Sequence, residues 1–262
     1  MSHQLTYGEY LKVPDLLDLQ KPLSNPEEHD EMLFIIIHQT YELWFKQILH
    51  EIGKLQKNLE AGQVWGAVKT MRRILTILKT LVSQIDILET MTPLEFNSFR
   101  GFLQQSSGFQ SIQFRELEMI CGLRSNHVMK ALTGNEKEFQ RLEKRAVAAT
   151  LWESFIAYMK KRGYAVEDPK RHHRDGFIHD PSEQNQQVLL DLFRKDPESA
   201  HLAELFVDFD EGMMEWRYRH VKMVERTIGT KKGTGGSDGT KYLHSTLNQP
   251  VFPDLWAIRA QF

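Results

Sequence analysis

Residues 34–59 read FIIIHQTYELWFKQILHEIGKLQKNL, and the spacing of apolar side chains in this stretch decides the fold class. The large apolar residues recur at alternating steps of four and three, with one histidine among them: Phe34, His38, Tyr41, Phe45, Ile48, Ile52, Leu55 and Leu59. Because an α-helix turns once in about 3.6 residues, this spacing puts all of these side chains on one helix face. The stretch therefore predicts a long helix that packs against a core.

Helical spacing continues beyond this stretch. The next set of apolar residues with the same steps is Ala67, Met71, Ile74, Leu78, Leu81, Ile85 and Leu88. A third long helix is predicted from about Glu136 to Arg162, and a fourth from about Leu202 to Ile228. No convincing run shows the two-residue alternation of a half-buried strand. The predicted fold class is all-α, a bundle of long helices with shorter ones between them.

Helix ends are marked by residues with known capping preferences. Asn25-Pro26-Glu27-Glu28 and Thr92-Pro93-Leu94-Glu95 each combine an N-cap residue, a proline in the first turn and a glutamate. Asp196-Pro197 predicts another helix start. Gly163 and Gly229 predict helix ends, because glycine adopts left-handed backbone conformations without strain.

Two stretches are predicted to be loops. Residues 167–180 are polar and contain Pro169 and Gly176, and residues 230–240 are rich in glycine. No internal repeat and no linker divides the chain. Residues 1–262 are therefore predicted to form a single domain, with an N-terminal arm at residues 1–24.

Composition limits the possible partners and locations. A formal net charge of −2 argues against a nucleic-acid-binding surface, which is normally basic. The single cysteine, Cys121, excludes internal disulfides and zinc sites of several thiolates. The longest clearly apolar run, Met32 to Ile37, is far too short to span a membrane, and the N-terminus has no apolar signal region. A cytoplasmic protein without membrane or nucleic-acid partners is expected.

Two histidines occupy apolar helix faces. His38 lies between Phe34 and Tyr41, where it is either a core histidine bonded to a carbonyl or a histidine that faces a cavity and a ligand. His220 shares a broad face with aromatic and thioether side chains. That environment suits an axial haem ligand, because the apolar wall keeps water away from the macrocycle. A purely structural role for His220 stays open at this point.

Other polar residues allow further interpretations. Arg100 is flanked by apolar residues and is either a surface arginine or a clamp for a carboxylate. The glycine-rich residues 233–239 lack a Walker ending and follow a helix, so a loop that closes over a pocket is favoured over a phosphate site. The histidines and aspartates of residues 172–180 could bind a divalent ion, and Glu198 with His201 gives one Glu-x-x-His spacing.

Several motifs together resemble the tryptophan 2,3-dioxygenase family. They are HDEMLFIIIHQTYELWFKQ at residues 29–47, SGFQS at 107–111, WRYRHV at 216–221, GTGGS at 233–237 and Tyr242-Leu243. The resemblance runs from about Leu5 to Thr246, which is nearly the whole chain. Motifs of this length in this order are highly specific.

The resemblance implies an activity and an assembly. It implies an all-helical homotetramer, a dimer of dimers, with a non-covalent b-type haem in each subunit that is active as Fe(II). The implied reaction inserts both atoms of O2 across the indole C2–C3 bond of L-tryptophan. The product is N-formylkynurenine, in the first step of the kynurenine route.

The resemblance also implies roles for individual residues. His220 is similar to the axial iron ligand and His38 to the distal histidine that bonds the indole N–H. Arg100 would hold the substrate carboxylate, with Thr234 near the ammonium and carboxylate, and Ser107 would lie close to the haem edge. The remaining substrate-pocket residues implied are Phe34, Ile35, Ile36, Ile37, Phe96, Tyr7, Tyr10 and Leu11, of which the last three would reach a neighbouring subunit's pocket.

Phe96 departs from the family pattern, because some members carry tyrosine at that position. This departure removes any hydroxyl contact there while keeping the aromatic wall. Two alternatives to the implied function follow from the same residues. One is a related haem dioxygenase that accepts other indoleamines, and the other is a haem-binding sensor or a helical scaffold without turnover.

Overall fold

The computed structural model describes residues 4–125, 135–172, 175–229, 231, 243–244, 247 and 249–262. Within these ranges the α-helices are α1 Tyr7–Leu11, α2 Val13–Leu17, α3 His29–Ala61, α4 Val64–Leu88, α5 Pro93–Arg100, α6 Ile112–Ile120, α7 Glu136–Val147, α8 Leu151–Lys161, α9 Glu183–Lys195, α10 Pro197–Ile228 and α11 Pro253–Ala257. Short 3-10 turns occupy Gly101–Leu103, Gly108–Gln110 and Ile258–Gln261. The all-α prediction is confirmed. In the described part of the chain, no helix combines the length and the apolar character that crossing a membrane requires.

The core forms where α3, α4, α8 and α10 pack together. Helices α3 and α4 are joined by only two residues, Gly62 and Gln63, and Gly62 has a φ of 72° that suits glycine. The apolar stripes predicted for both helices face this core, and Ile48, Ile52 and Leu55 are fully buried. The N-terminal part of the α3 stripe is only partly buried, because it faces a cavity instead of side chains.

Several predicted helix ends are confirmed. The Thr92 hydroxyl accepts a hydrogen bond from the Glu95 amide, and the Glu95 carboxylate accepts one from the Thr92 amide, which starts α5. The predicted fourth helix begins already at Pro197, so it is continuous with the start predicted at Asp196-Pro197. Gly163 and Gly229 follow helices with φ values of 90° and 60°.

The helix start predicted at Asn25-Pro26 is wrong, because the first residue of α3 is His29, three residues after Pro26. The buried Glu31 carboxylate accepts a hydrogen bond from the Ser24 amide at 2.9 Å. The Ser24 hydroxyl also accepts a hydrogen bond from the Glu28 amide at 2.8 Å. These two bonds tie Ser24, before the proline, to the first turn of α3 and so fix the helix start beyond the proline.

The continuous helix predicted from Glu136 to Arg162 is also wrong, because the chain breaks into α7 and α8. Ala148 has an extended backbone with a ψ of 159°. The Thr150 hydroxyl accepts a hydrogen bond from the Glu153 amide and starts a new helix. The Arg171 guanidinium donates to carbonyls at the end of α7, including that of Ala148 at 2.7 Å. Capping on both sides therefore stabilises the break.

The described residues also contain one small two-stranded sheet. Strands β1 (Leu123–Arg124) and β2 (Gly176–Phe177) pair antiparallel, and the Ile178 amide donates to the Gly122 carbonyl at 2.9 Å. The described part of the predicted loop at residues 167–180 is free of helix, as expected. Strands this short escape sequence periodicity, because two residues cannot show an alternation.

Glu153 is expected to stabilise the break between α7 and α8 in a pH-dependent way. Its carboxylate accepts hydrogen bonds from Arg171 at 2.5 and 2.6 Å and from the Thr150 amide at 2.8 Å. Burial raises the pKa of Glu153, but the bonds from Arg171 and Thr150 outweigh burial and lower it below its ordinary 4.5. Replacing Glu153→Gln should lower the free energy of unfolding at neutral pH by about 1–3 kcal/mol.

The sign of the pH dependence follows from that lowered pKa. A carboxylate whose pKa is lowered by folding stabilises the fold above its ordinary pKa, and this contribution is lost as the pH falls through the folded value. Urea unfolding of Glu153→Gln and wild type should therefore converge between about pH 5 and pH 3. The exposed Glu143 on α7 serves as the matched control through Glu143→Gln. If the free energies of unfolding of Glu153→Gln and wild type differed by the same amount at about pH 5 and at about pH 3, the expectation would be contradicted.

Candidate active site

A cavity of about 270 Å³ lies between α3, α4, α5, α6 and α10. Its wall is mostly aromatic and aliphatic, and both histidines singled out in the sequence line it, His38 from α3 and His220 from α10. Arg100 lines the same cavity from the last turn of α5. The fold therefore brings together three residues that are far apart in the chain.

His38 is held in one orientation by its own helix. Its Nδ1 lies 2.7 Å from the Phe34 carbonyl oxygen, and because a carbonyl only accepts, Nδ1 carries the hydrogen. Burial lowers the pKa of His38, while the bond to Phe34 and the nearby Glu42 partly oppose this effect. The neutral ring then has an unprotonated Nε2, which can accept one hydrogen bond.

His220 has the features of a metal ligand. Its ring stacks on Trp216 with centroids 5.1 Å apart and planes 5° from parallel, which fixes the plane of the imidazole. Burial, together with His38 and Arg115, lowers the pKa of His220 to about 4. The imidazole is therefore neutral at neutral pH and keeps a lone pair for coordination.

Aromatic rings build most of the wall around these histidines. Phe114 lies 4.8 Å from Trp216 and 5.4 Å from Phe45, measured between ring centroids. On the other side, Phe34 lies 5.9 Å from Phe96 and 4.1 Å from the His38 ring. Such a wall can enclose flat apolar groups while excluding water.

Charged groups also line the cavity. Arg115 donates to Glu118 at 2.6 Å, and both side chains are buried. The Arg115 guanidinium lies 4.8 Å from the centroid of Phe109 and 5.1 Å from that of Phe114. Because buried cations require compensation, the carboxylate of Glu118 and the two ring faces stabilise the guanidinium of Arg115 inside an apolar wall.

The buried Nε of Arg115, on this wall, has no hydrogen-bond partner in the described part of the chain. An unpaired buried donor costs about 1–3 kcal/mol. The Arg115 donor therefore favours a ligand that supplies an oxygen acceptor at this wall.

The other residues selected from the sequence occupy different places. Phe96 and Ser107 line the cavity, and Ser107 also caps the short turn Gly108–Gln110. Ile35, Ile36 and Ile37 are not among the described wall residues; Ile37 is buried in a neighbouring apolar cluster and Ile36 is 43% exposed.

The predicted arm residues lie on the surface of this chain. Tyr7 and Tyr10 in α1 are 78% and 74% exposed, and Leu11 is 46% exposed. None of the three is among the described residues that line the cavity. Thr234, expected near the substrate ammonium and carboxylate, falls outside the described residues.

Sequence reasoning missed Arg115, Glu118 and Glu42 as wall residues. Charged residues spaced like those of α6 usually indicate a solvated helix face, yet all residues of α6 except Gln113 are buried. The available signal was the position of Arg115 directly after Phe114, within a helix whose apolar residues fall on more than one face.

The metal sites considered from the sequence do not form in the described part of the chain. No group of three or more His, Cys, Asp or Glu side chains comes together there in an arrangement that could hold an ion. His201, from the single Glu-x-x-His spacing, instead lies 3.0 Å from Arg72. The cavity with its single unbonded imidazole at His220 is therefore the best candidate site.

Known proteins are similar in sequence to nearly the whole of this chain. The family model described as tryptophan 2,3-dioxygenase matches residues 1–154 and 168–262. Tryptophan 2,3-dioxygenase of Herpetosiphon aurantiacus is 52% identical over 99% of each chain, and that of Anaeromyxobacter sp. (strain K) is 51% identical over 98% of this chain and 96% of its own. The enzyme of that name from Caulobacter vibrioides is 41% identical over the whole of both chains. The chain thus belongs to the tryptophan 2,3-dioxygenase family.

Proposed function

We propose that the chain opens the indole ring of L-tryptophan with O2 and forms N-formylkynurenine, the first step of the kynurenine route. The C2–C3 bond breaks and each carbon takes one oxygen atom, so that both atoms of O2 enter the product. The observation that carries this proposal is one apolar cavity lined by a neutral His220, a neutral His38 and Arg100. The cytoplasmic location expected from the sequence remains part of the proposal.

Family membership implies a haem cofactor, and the residues of the cavity fit one. His220 offers an unprotonated imidazole nitrogen to iron, and the unpaired donor of Arg115 could bond a carboxylate of a porphyrin. The only cysteine, Cys121, is buried, which favours a b-type haem without covalent attachment, one in each subunit. When bound in its ferrous form, the haem supplies the binding and activation of O2.

The remaining wall residues suit a zwitterionic amino acid with an indole ring. Arg100 can bind the carboxylate through two parallel hydrogen bonds. The rings of Phe34 and Phe96 provide a flat apolar surface for the indole. Because Nδ1 of His38 is committed to Phe34, Nε2 can accept the indole N–H and so orient the ring.

A homotetramer, a dimer of dimers, is part of the same proposal. Helices α1 and α2 contain no buried residue, although they carry several apolar side chains. An arm with so little core of its own needs another surface to cover its apolar groups. We expect Tyr7, Tyr10 and Leu11 to cover the substrate pocket of a neighbouring subunit.

Removal of the arm tests this part of the proposal. Deleting residues 1–11 should raise the KM for tryptophan and leave the haem content nearly unchanged, because the arm would contact substrate and not the His220 side of the cavity. Mixing this deletion variant with His220→Ala should restore some activity, since an intact arm can then serve an intact haem site. Mixed oligomers confirmed by mass but without recovered activity would count against a shared site.

The alternatives are separated by one set of assays. A haem-binding sensor would show a Soret band without product under reducing, aerobic conditions, and a helical scaffold would show neither. A related dioxygenase of broader specificity would turn over D-tryptophan or tryptamine as well as L-tryptophan. The proposal expects product from L-tryptophan with a clear preference in kcat/KM, since tryptamine lacks the carboxylate that Arg100 would bind.

A further inference from the structure

Leu243 lines the cavity although it lies in the chain well after the end of α10. The next residue, His244, is bonded to α10 itself. Nε2 of His244 lies 2.6 Å from Oε1 of Glu225, and because a carboxylate only accepts, Nε2–H donates. The bond therefore joins the segment that carries Leu243 to the helix that carries His220.

The Glu225 carboxylate makes a second hydrogen bond within that helix. Its carboxylate also accepts a hydrogen bond from Lys222 at 2.8 Å, and the bonds from Lys222 and His244 lower the pKa of Glu225 below its ordinary value. The carboxylate is therefore charged at neutral pH. Val224 and Thr227, on the same turns of α10, line the cavity, so this attachment lies directly beside the wall.

We infer that Glu225 and His244 are positioning residues whose hydrogen bond holds Leu243 in the cavity wall and thereby strengthens tryptophan binding. The inference rests on the proposed function, because it assumes that tryptophan occupies this cavity. Neither side chain of the pair lines the cavity, so both act through Leu243. The chemical contact with the substrate is the apolar surface of Leu243, which would shield the indole from water.

The size of the expected effect follows from exposure of the pair. The side chains of His244 and Glu225 are 45% and 32% exposed, and polar contacts between side chains of that exposure are individually weak. Breaking the pair should therefore raise the KM for L-tryptophan by about two- to fivefold, with kcat and haem content unchanged. Leu243→Ala should raise KM at least as much, because it removes the wall surface itself.

A double-variant comparison tests the inference. His244→Ala and Glu225→Ala should each raise KM, and the double variant should raise it no further than the stronger single change. In a Leu243→Ala background, His244→Ala should have no additional effect. The matched control is His201→Ala, which removes a partly buried histidine of α10 that is bonded to Arg72 away from the cavity, and its KM should equal that of wild type.

Two outcomes would overturn the inference. One is an unchanged KM in His244→Ala. The other is a variant carrying both His244→Ala and Leu243→Ala whose KM rises by the product of the two single increases. A readout without turnover is the Kd for L-tryptophan from a binding titration of the haem-loaded protein. This Kd should rise in His244→Ala by the same factor as KM and should keep its wild-type value in His201→Ala. Absence of product from wild type would instead contradict the proposed function and leave the Kd comparison valid.

Discussion

Replacing His220→Ala is expected to abolish stable haem binding. The chain offers one neutral imidazole stacked on Trp216 without a hydrogen bond from the described residues, and this geometry leaves a nitrogen for iron. Removing it takes away the only protein ligand we propose for the metal. The ratio of Soret absorbance to protein absorbance in the purified variant measures the loss, and added imidazole should restore part of the absorbance by filling the space.

Two matched variants make this result specific. His201→Ala, on the same helix but bonded to Arg72, should bind haem like wild type. His38→Ala should also keep its haem while it loses affinity for tryptophan, because its proposed partner is the indole N–H. Undiminished haem affinity and an unchanged ferrous spectrum in His220→Ala would rule out this ligand assignment.

Replacing Arg100→Ala is expected to produce the largest loss of substrate affinity. A guanidinium–carboxylate pair in a partly buried site commonly loses about 2–5 kcal/mol when one partner is truncated, which is roughly 30-fold to several thousandfold in Kd. The loss should appear for L-tryptophan and be far smaller for an indole without a carboxylate. Binding titrations of both ligands to the haem-loaded protein measure the difference.

A conservative variant sharpens the Arg100 test. Arg100→Lys keeps the positive charge but loses the planar fork that bonds a carboxylate twice, so it should fall between wild type and Arg100→Ala. Equal losses of affinity for L-tryptophan and for the indole without a carboxylate would contradict carboxylate recognition. They would point instead to a general effect of Arg100 on the shape of the cavity.

Long helices with a single buried face were the predictable part of this fold. The stripes of α3 and α4 follow the helical period for many turns, and the buried residues fall where the period puts them. The break between α7 and α8 was missed because apolar residues continue on both sides of it. The local signal of this break is the capping-box spacing of Thr150 and Glu153.

Individual site residues could be selected from the sequence, but their assembly could not. His38 and His220 are unusual as polar residues on apolar faces, and that pattern is visible in one dimension. Arg115 and Glu118 lie in a helix that looks solvated, and only tertiary packing shows that they are buried. The bond between Glu225 and His244 joins elements whose separation in space depends on the whole fold, so no local pattern predicts it.

The most direct test of the account is the fate of isotopically labelled O2 during turnover of L-tryptophan by the purified, reduced, haem-loaded protein. Mass spectrometry of the product should show N-formylkynurenine that carries two labelled oxygen atoms, one from each side of the broken C2–C3 bond. Haem loading without any product, or a product that carries a single labelled atom, would contradict the proposed dioxygenase reaction.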